Sequence, residues 1–130
     1  VKPFVKDLIN PHIGHTYGSC TFVNAPKNES VHQKWHRDTD YLSYIVIIPL
    51  VDVDENNGCT QIIPESTNLK PKQWRKKPLK NVLLHAGDLF MFDGRLLHRG
   101  TANRSLFDRP VLILTITDED VHYYQETPIF

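Results

Sequence analysis

Apolar positions in this chain come in short runs of β-branched and aromatic residues, each closed by Gly, Pro, Asn or Asp. Almost no segment sustains helical spacing beyond two turns. The pattern predicts strands near His15 to Asn24, Tyr41 to Pro49, Cys59 to Ile63, Val82 to His85, Asp88 to Phe92, Leu97 to Ala102 and Val111 to Thr117, with a further short one around Trp35 to Asp38. That many strands in 130 residues predicts an all-β (mainly β) fold of the double-sheet jelly-roll kind, as a single domain over residues 1–130.

Two turns punctuate the pattern. Asp54-Glu55-Asn56-Asn57-Gly58 and His85-Ala86-Gly87-Asp88 carry residues that tolerate left-handed backbone, so each is expected to close a hairpin. Leu69 to Lys80 is the one long basic interruption, with Pro71 and Pro78 limiting regular structure; it reads as a solvated loop rather than a contact for an anionic substrate. Tyr41 to Ile48 and Val111 to Ile116 are apolar on both alternating faces, which requires a cover on each side. Val1 to Ile13, the tail Val121 to Phe130 with Tyr123 and Tyr124, and a second copy of the chain are the candidates for that cover, so self-association into a homo-oligomer is one expectation.

Charge narrows the class further. With 15 basic and 15 acidic residues and no net charge, the chain has no global field to draw nucleic acid or an anionic membrane. No apolar run approaches the ~18 residues of a membrane span, and the N-terminus lacks the basic and apolar blocks of a signal peptide, so a cytoplasmic protein is expected. The chain begins at Val1, which fits a processed product or a fragment. Cys20 and Cys59 lie in no zinc-spaced pair and read as buried free thiols.

The candidate chemistry sits in His36-Arg37-Asp38 and, much later, His98. Residues two apart on a strand project to one face, so His36 and Asp38 can reach a single ion while Arg37 points away. His98, after the turn Phe92-Asp93-Gly94-Arg95, could add a third ligand from another strand. Two imidazoles and a carboxylate make the three-sided set that leaves half an octahedral iron open. A His–Asp hydrogen bond near a strand end is the bland alternative for the tripeptide. His12, His15, His32, His85 and His122 lack this arrangement and read as structural or surface residues.

Arg109 follows His98 across the polar turn Asn103 to Asp108. A hairpin about that turn would set Arg109 opposite Gly100 and Thr101, roughly 7 to 10 Å along the strand from His98 at about 3.3 Å per residue. That is the reach of a five-carbon diacid, whose far carboxylate a guanidinium binds bidentately. A surface ion pair with Asp108 or Glu119 is the alternative. Tyr17, Trp35 and Tyr41 are expected on strands near the ligands, where aromatic core packing is favoured over cavity lining.

His36-Arg37-Asp38, then Ile48-Pro49-Leu50-Val51-Asp52 through Gly58-Cys59-Thr60-Gln61-Ile62-Ile63-Pro64, then Ala86-Gly87-Asp88-Leu89-Phe90, and His98 through Arg109 together resemble the phytanoyl-CoA dioxygenase-like family of iron(II)- and 2-oxoglutarate-dependent oxygenases. The resemblance spans Trp35 to Thr117 in order. It implies a double-stranded β-helix, cupin-like in architecture, with Fe(II) on His36, Asp38 and His98 and the distal carboxylate of 2-oxoglutarate on Arg109. The family often has a small hydroxyl residue two positions after the last histidine; this chain has Gly100 there, and the neighbouring Thr101 is expected to substitute. The family's Pro-Gly-Ser-His turn is Pro64-Glu65-Ser66-Thr67 here, and the region before the first ligand is shorter than usual.

The reaction implied consumes O2 and 2-oxoglutarate, releases succinate and CO2, and hydroxylates a small-molecule or lipid-like substrate. Asp38 favours hydroxylation, because halogenating relatives carry a small residue at that position. Two other readings stand beside this one: a non-catalytic metal-binding β-sandwich or inactive family member, and a cupin-like dioxygenase that needs no oxo acid.

Overall fold

The computed structural model describes residues 16–28 and 31–118. Its strands are β1 (Thr16–Ala25), β2 (Tyr44–Pro49), β3 (Thr60–Ile62), β4 (Lys80–Val82), β5 (Phe90–Asp93), β6 (His98–Gly100) and β7 (Arg109–Asp118), with one helical turn, α1 (Pro71–Trp74). A four-stranded sheet runs β1-β7-β2-β5 and a three-stranded sheet runs β4-β3-β6, with every pairing antiparallel. The mainly β, jelly-roll architecture is the one the strand pattern predicts.

β2 and β7 are the inner strands of the larger sheet. Alternate positions face the core, and on the other face Leu112 and Leu114 of β7 remain partly exposed. Ile45, Ile47, Phe92 and Val111 form the buried core, with Val23, Phe90, Leu96 and Ile113 packed against it. Each such buried side chain contributes about 1.5–3 kcal/mol relative to exposure. Val46, on the opposite face of β2 from Ile45 and Ile47, is also buried. The terminal segments proposed as cover, together with His12, His15, His122 and Glu119, lie outside the described residues.

The turns differ from expectation. Val53 bridges Leu84, and Thr60 then pairs with Val82, so Asp54 to Gly58 is an excursion that leaves and rejoins the same partner strand rather than a hairpin. Asp54 closes it by accepting the N–H groups of Asn56 and Asn57. His85 to Asp88 carries the chain from one sheet to the other, with Gly87 at φ 85°. β6 and β7 likewise belong to different sheets, so the hairpin expected between His98 and Arg109 does not form. Cys20 is exposed on edge strand β1, contrary to the sequence reading, whereas Cys59 is buried. Within the basic stretch, Pro71 opens the single turn of α1 and Lys70 N donates to the Gln73 side chain.

Candidate metal centre

His36 and His98 face each other across one isolated antiparallel bridge, each backbone N–H donating to the other's carbonyl at 3.0 Å. This pairing, outside any named strand for His36, brings the two rings to a 4.4 Å centroid separation. Asp38, two residues along, then reaches both: Oδ1 lies 3.6 Å from His36 Nε2 and Oδ2 lies 3.4 Å from His98 Nε2. All three ligand atoms fall within 4.8 Å of one another.

The tautomers are set by the backbone. His36 Nδ1 donates to Lys34 O at 2.8 Å and His98 Nδ1 donates to Leu96 O at 2.9 Å, since a carbonyl can only accept. Nε2 is thereby the ring nitrogen that each histidine presents toward the Asp38 carboxylate, the outer-shell arrangement that orients metal-ligating imidazoles. Phe92 packs edge-on against the His98 ring at 4.8 Å. His98 is buried while Asp38 and His36 remain partly open, so the cluster has a closed and an accessible side.

Arg37 points away from the cluster, as the strand alternation requires. Its Nε donates to Arg95 O and its Nη2 to Ser66 O and Leu69 O, all at 2.8 Å. Ser66 Oγ in turn accepts Leu97 N, so one guanidinium and one buried serine tie the segment of the first two ligands to that of the third. The Pro64-Glu65-Ser66-Thr67 turn keeps the shape glycine would give it, with Glu65 at φ 58°.

A cavity of about 220 Å³ lies between the sheets. His36, Asp38 and His98 line one part, Arg109 another, and Val23, Ile45, Ile47, Phe92, Val111 and Ile113 make the walls between them. Gln33 and Thr60 are the uncharged side chains there with donors. A second chamber of about 350 Å³, bounded by His32, Thr101 and Asn24, shares Val23, Gln33, Gly100 and Arg109 with the first.

Arg109 is only 8% exposed, and its Nε has no hydrogen-bond partner. Burial holds the guanidinium below its usual pKa. A buried, incompletely paired cation is costly unless an anion joins it, so the site fits an incoming carboxylate. Gly58, at φ 96°, passes beneath it: a Cβ there would lie 2.9 Å from Thr101 O and 3.5 Å from Arg109 Nε. Arg109 thus reaches the cavity from the opposite sheet to Gly100, by facing it rather than by pairing with it.

Thr101 borders the outer chamber, but its hydroxyl donates to Cys59 O at 2.8 Å. The single hydroxyl proton is thereby committed. Burial pushes the Cys59 thiol up, partly offset by the hydroxyl of Thr101. Trp35 packs on Trp74 and under the Arg99 guanidinium, and it does not line the cavity. His32 Nδ1 accepts Ala102 N. Sequence reasoning missed Gln33 and the three carbonyls that hold Arg37.

Known proteins share this arrangement of strands. The family model described as phytanoyl-CoA dioxygenase (PhyH) matches residues 2–111. Among solved structures, EvdMO1 superposes with a TM-score of 0.76 at 19% identity, covering 90% of this chain and 30% of that one. AviO1 from Streptomyces viridochromogenes gives 0.72 at 23% identity, covering 82% and 52%. SnoN, a non-heme alpha ketoglutarate dependent epimerase from nogalamycin biosynthesis, gives 0.70 at 23%, covering 76% and 45%. The chain therefore spans about half or less of the length of these relatives.

Proposed function

The chain belongs to the phytanoyl-CoA dioxygenase family, and from that membership we propose that it is an Fe(II)- and 2-oxoglutarate-dependent oxygenase, formed as one domain over residues 1–130. The observation that carries this reading is the convergence of His36 Nε2, His98 Nε2 and the Asp38 carboxylate, beside a cavity whose far side holds a buried arginine with an unpaired Nε. Two neutral imidazoles and one carboxylate neutralise half the charge of a divalent ion and leave the remaining positions to exchangeable ligands.

Iron(II) with 2-oxoglutarate and dioxygen supplies, when bound, oxidative decarboxylation to succinate and CO2 coupled to a two-electron oxidation of the substrate. The protein's part is placement. His36, Asp38 and His98 hold the ion; Arg109 takes the distal carboxylate and fixes the direction of the oxo acid. Ile45, Ile47, Phe92 and Val111 exclude water from the cavity wall and present an apolar surface to the reacting carbon. We read the reaction as hydroxylation of a small-molecule or lipid-like substrate, in keeping with the Asp38 carboxylate and these apolar walls.

The test is anaerobic addition of Fe(II) and 2-oxoglutarate, which should give a visible charge-transfer band that His36→Ala and Asp38→Ala abolish and Arg109→Ala weakens by loss of 2-oxoglutarate affinity. Succinate should then form on admission of oxygen. Metal binding without the band or succinate would refute the oxygenase reading and leave a metal-binding module.

A further inference from the structure

A carboxylate has about four acceptor sites, more than one bidentate guanidinium fills, and the residue expected to help, Thr101, has already given its proton to Cys59 O. The cavity offers another. Gln33 N donates to Gly100 O at 2.9 Å, and Gly100 N donates to Gln33 Oε1 at 2.8 Å. Because the Gly100 N–H can only donate, the atom facing it must be the amide oxygen, and Nε2 is turned elsewhere with no partner among the described residues.

Gly100 makes this placement possible. A Cβ built there would lie 2.9 Å from Gln33 Oε1 and 3.2 Å from Gln33 Cδ, so the glutamine side chain occupies the space that a side chain at position 100 would take. The glycine is not there for an unusual backbone, since its φ lies outside the left-handed range. It leaves room for an amide. Gln33, Gly100 and Arg109 all line both the metal-side cavity and the outer chamber, whereas Thr60, the other uncharged donor, lines only the former. The amide and the guanidinium therefore border the same passage.

We propose that Gln33 is the second donor to the distal carboxylate of the oxo acid, its Nε2–H acting beside Arg109 and its orientation fixed by the bare backbone of Gly100. The assignment rests on the 2-oxoglutarate reading above. It makes Gln33 a cosubstrate-binding residue that leaves the metal ligands untouched.

Calorimetric titration of 2-oxoglutarate into the Mn(II)-loaded protein without oxygen tests it. Gln33→Glu keeps an oxygen for Gly100 N but replaces the donor with a negative charge, and should weaken 2-oxoglutarate binding by about tenfold or more with Mn(II) affinity and melting temperature unchanged. Gln33→Ala should also weaken it, and Gln33→Ala combined with Gly100→Ser should recover affinity, because the freed space then holds a hydroxyl donor. Wild-type-like 2-oxoglutarate binding by Gln33→Glu, or a parallel loss of Mn(II) affinity, overturns the proposal. Absence of 2-oxoglutarate binding by the wild-type Mn(II) protein overturns the oxygenase reading itself, and the Gln33 role with it.

Discussion

Replacing Arg37 by Gln removes a guanidinium that makes three hydrogen bonds of 2.8 Å to the carbonyls of Arg95, Ser66 and Leu69. Bonds from a charged donor contribute about 1.5–3 kcal/mol each when fully buried. Arg37 is half-buried, and solvent can re-satisfy part of what is lost, so roughly half that value applies. Three bonds then sum to about 2–4 kcal/mol. Glutamine, shorter and uncharged, recovers one bond at most. Urea denaturation of the chelator-treated protein measures the loss without a contribution from bound metal. Because Arg37 lies between two ligands and reaches the loop before the third, Co(II) affinity should also fall, by about 10–100-fold. A stability loss under about 1 kcal/mol together with unchanged Co(II) affinity would refute the idea that this side chain holds the ligand segments in register.

Other outcomes follow from single contacts. Thr101→Val removes one hydroxyl bond to Cys59 O, which still accepts Thr101 N, so stability should fall by about 1 kcal/mol. Its 2-oxoglutarate affinity should be unchanged; a loss in titration would restore Thr101 as a carboxylate donor. Glu65→Gly should raise stability by about 0.5–1 kcal/mol in urea, since Glu65 holds φ 58° and its ion pair with Lys77 is exposed. Hydrogen bonds from Arg95 hold the Asp93 carboxyl below its usual pKa. A group depressed on folding stabilises above its unfolded value and loses that contribution as pH falls through its folded value. Wild-type protein should therefore lose stability faster than Asp93→Asn on acidification below about pH 4, followed by circular dichroism.

Local pattern carried the parts of this molecule that depend on one strand at a time. The two-residue spacing of His36 and Asp38 shows which side chains share a face, and the unbroken apolar runs of β2 and β7 mark strands whose outer side calls for a cover. What pairs with what was less legible. Asp54 to Gly58 and His85 to Asp88 have the composition of hairpin turns, yet one is an excursion and the other a crossing between sheets, because turn chemistry fixes backbone shape and not the partner strand. Gln33 gave no signal of its own. Its signal was the glycine at position 100, since a bare residue inside a strand marks a close approach by something else.

The bridge between His36 and His98 has a thermodynamic corollary. His36 and Asp38 lie outside every named strand, whereas His98 belongs to β6, so an ion gripped by all three would work as a removable cross-link between the segment of the first two and the smaller sheet. Folding and loading would then be linked equilibria, with the melting midpoint climbing as the logarithm of free ion concentration and dropping when a chelator strips it away.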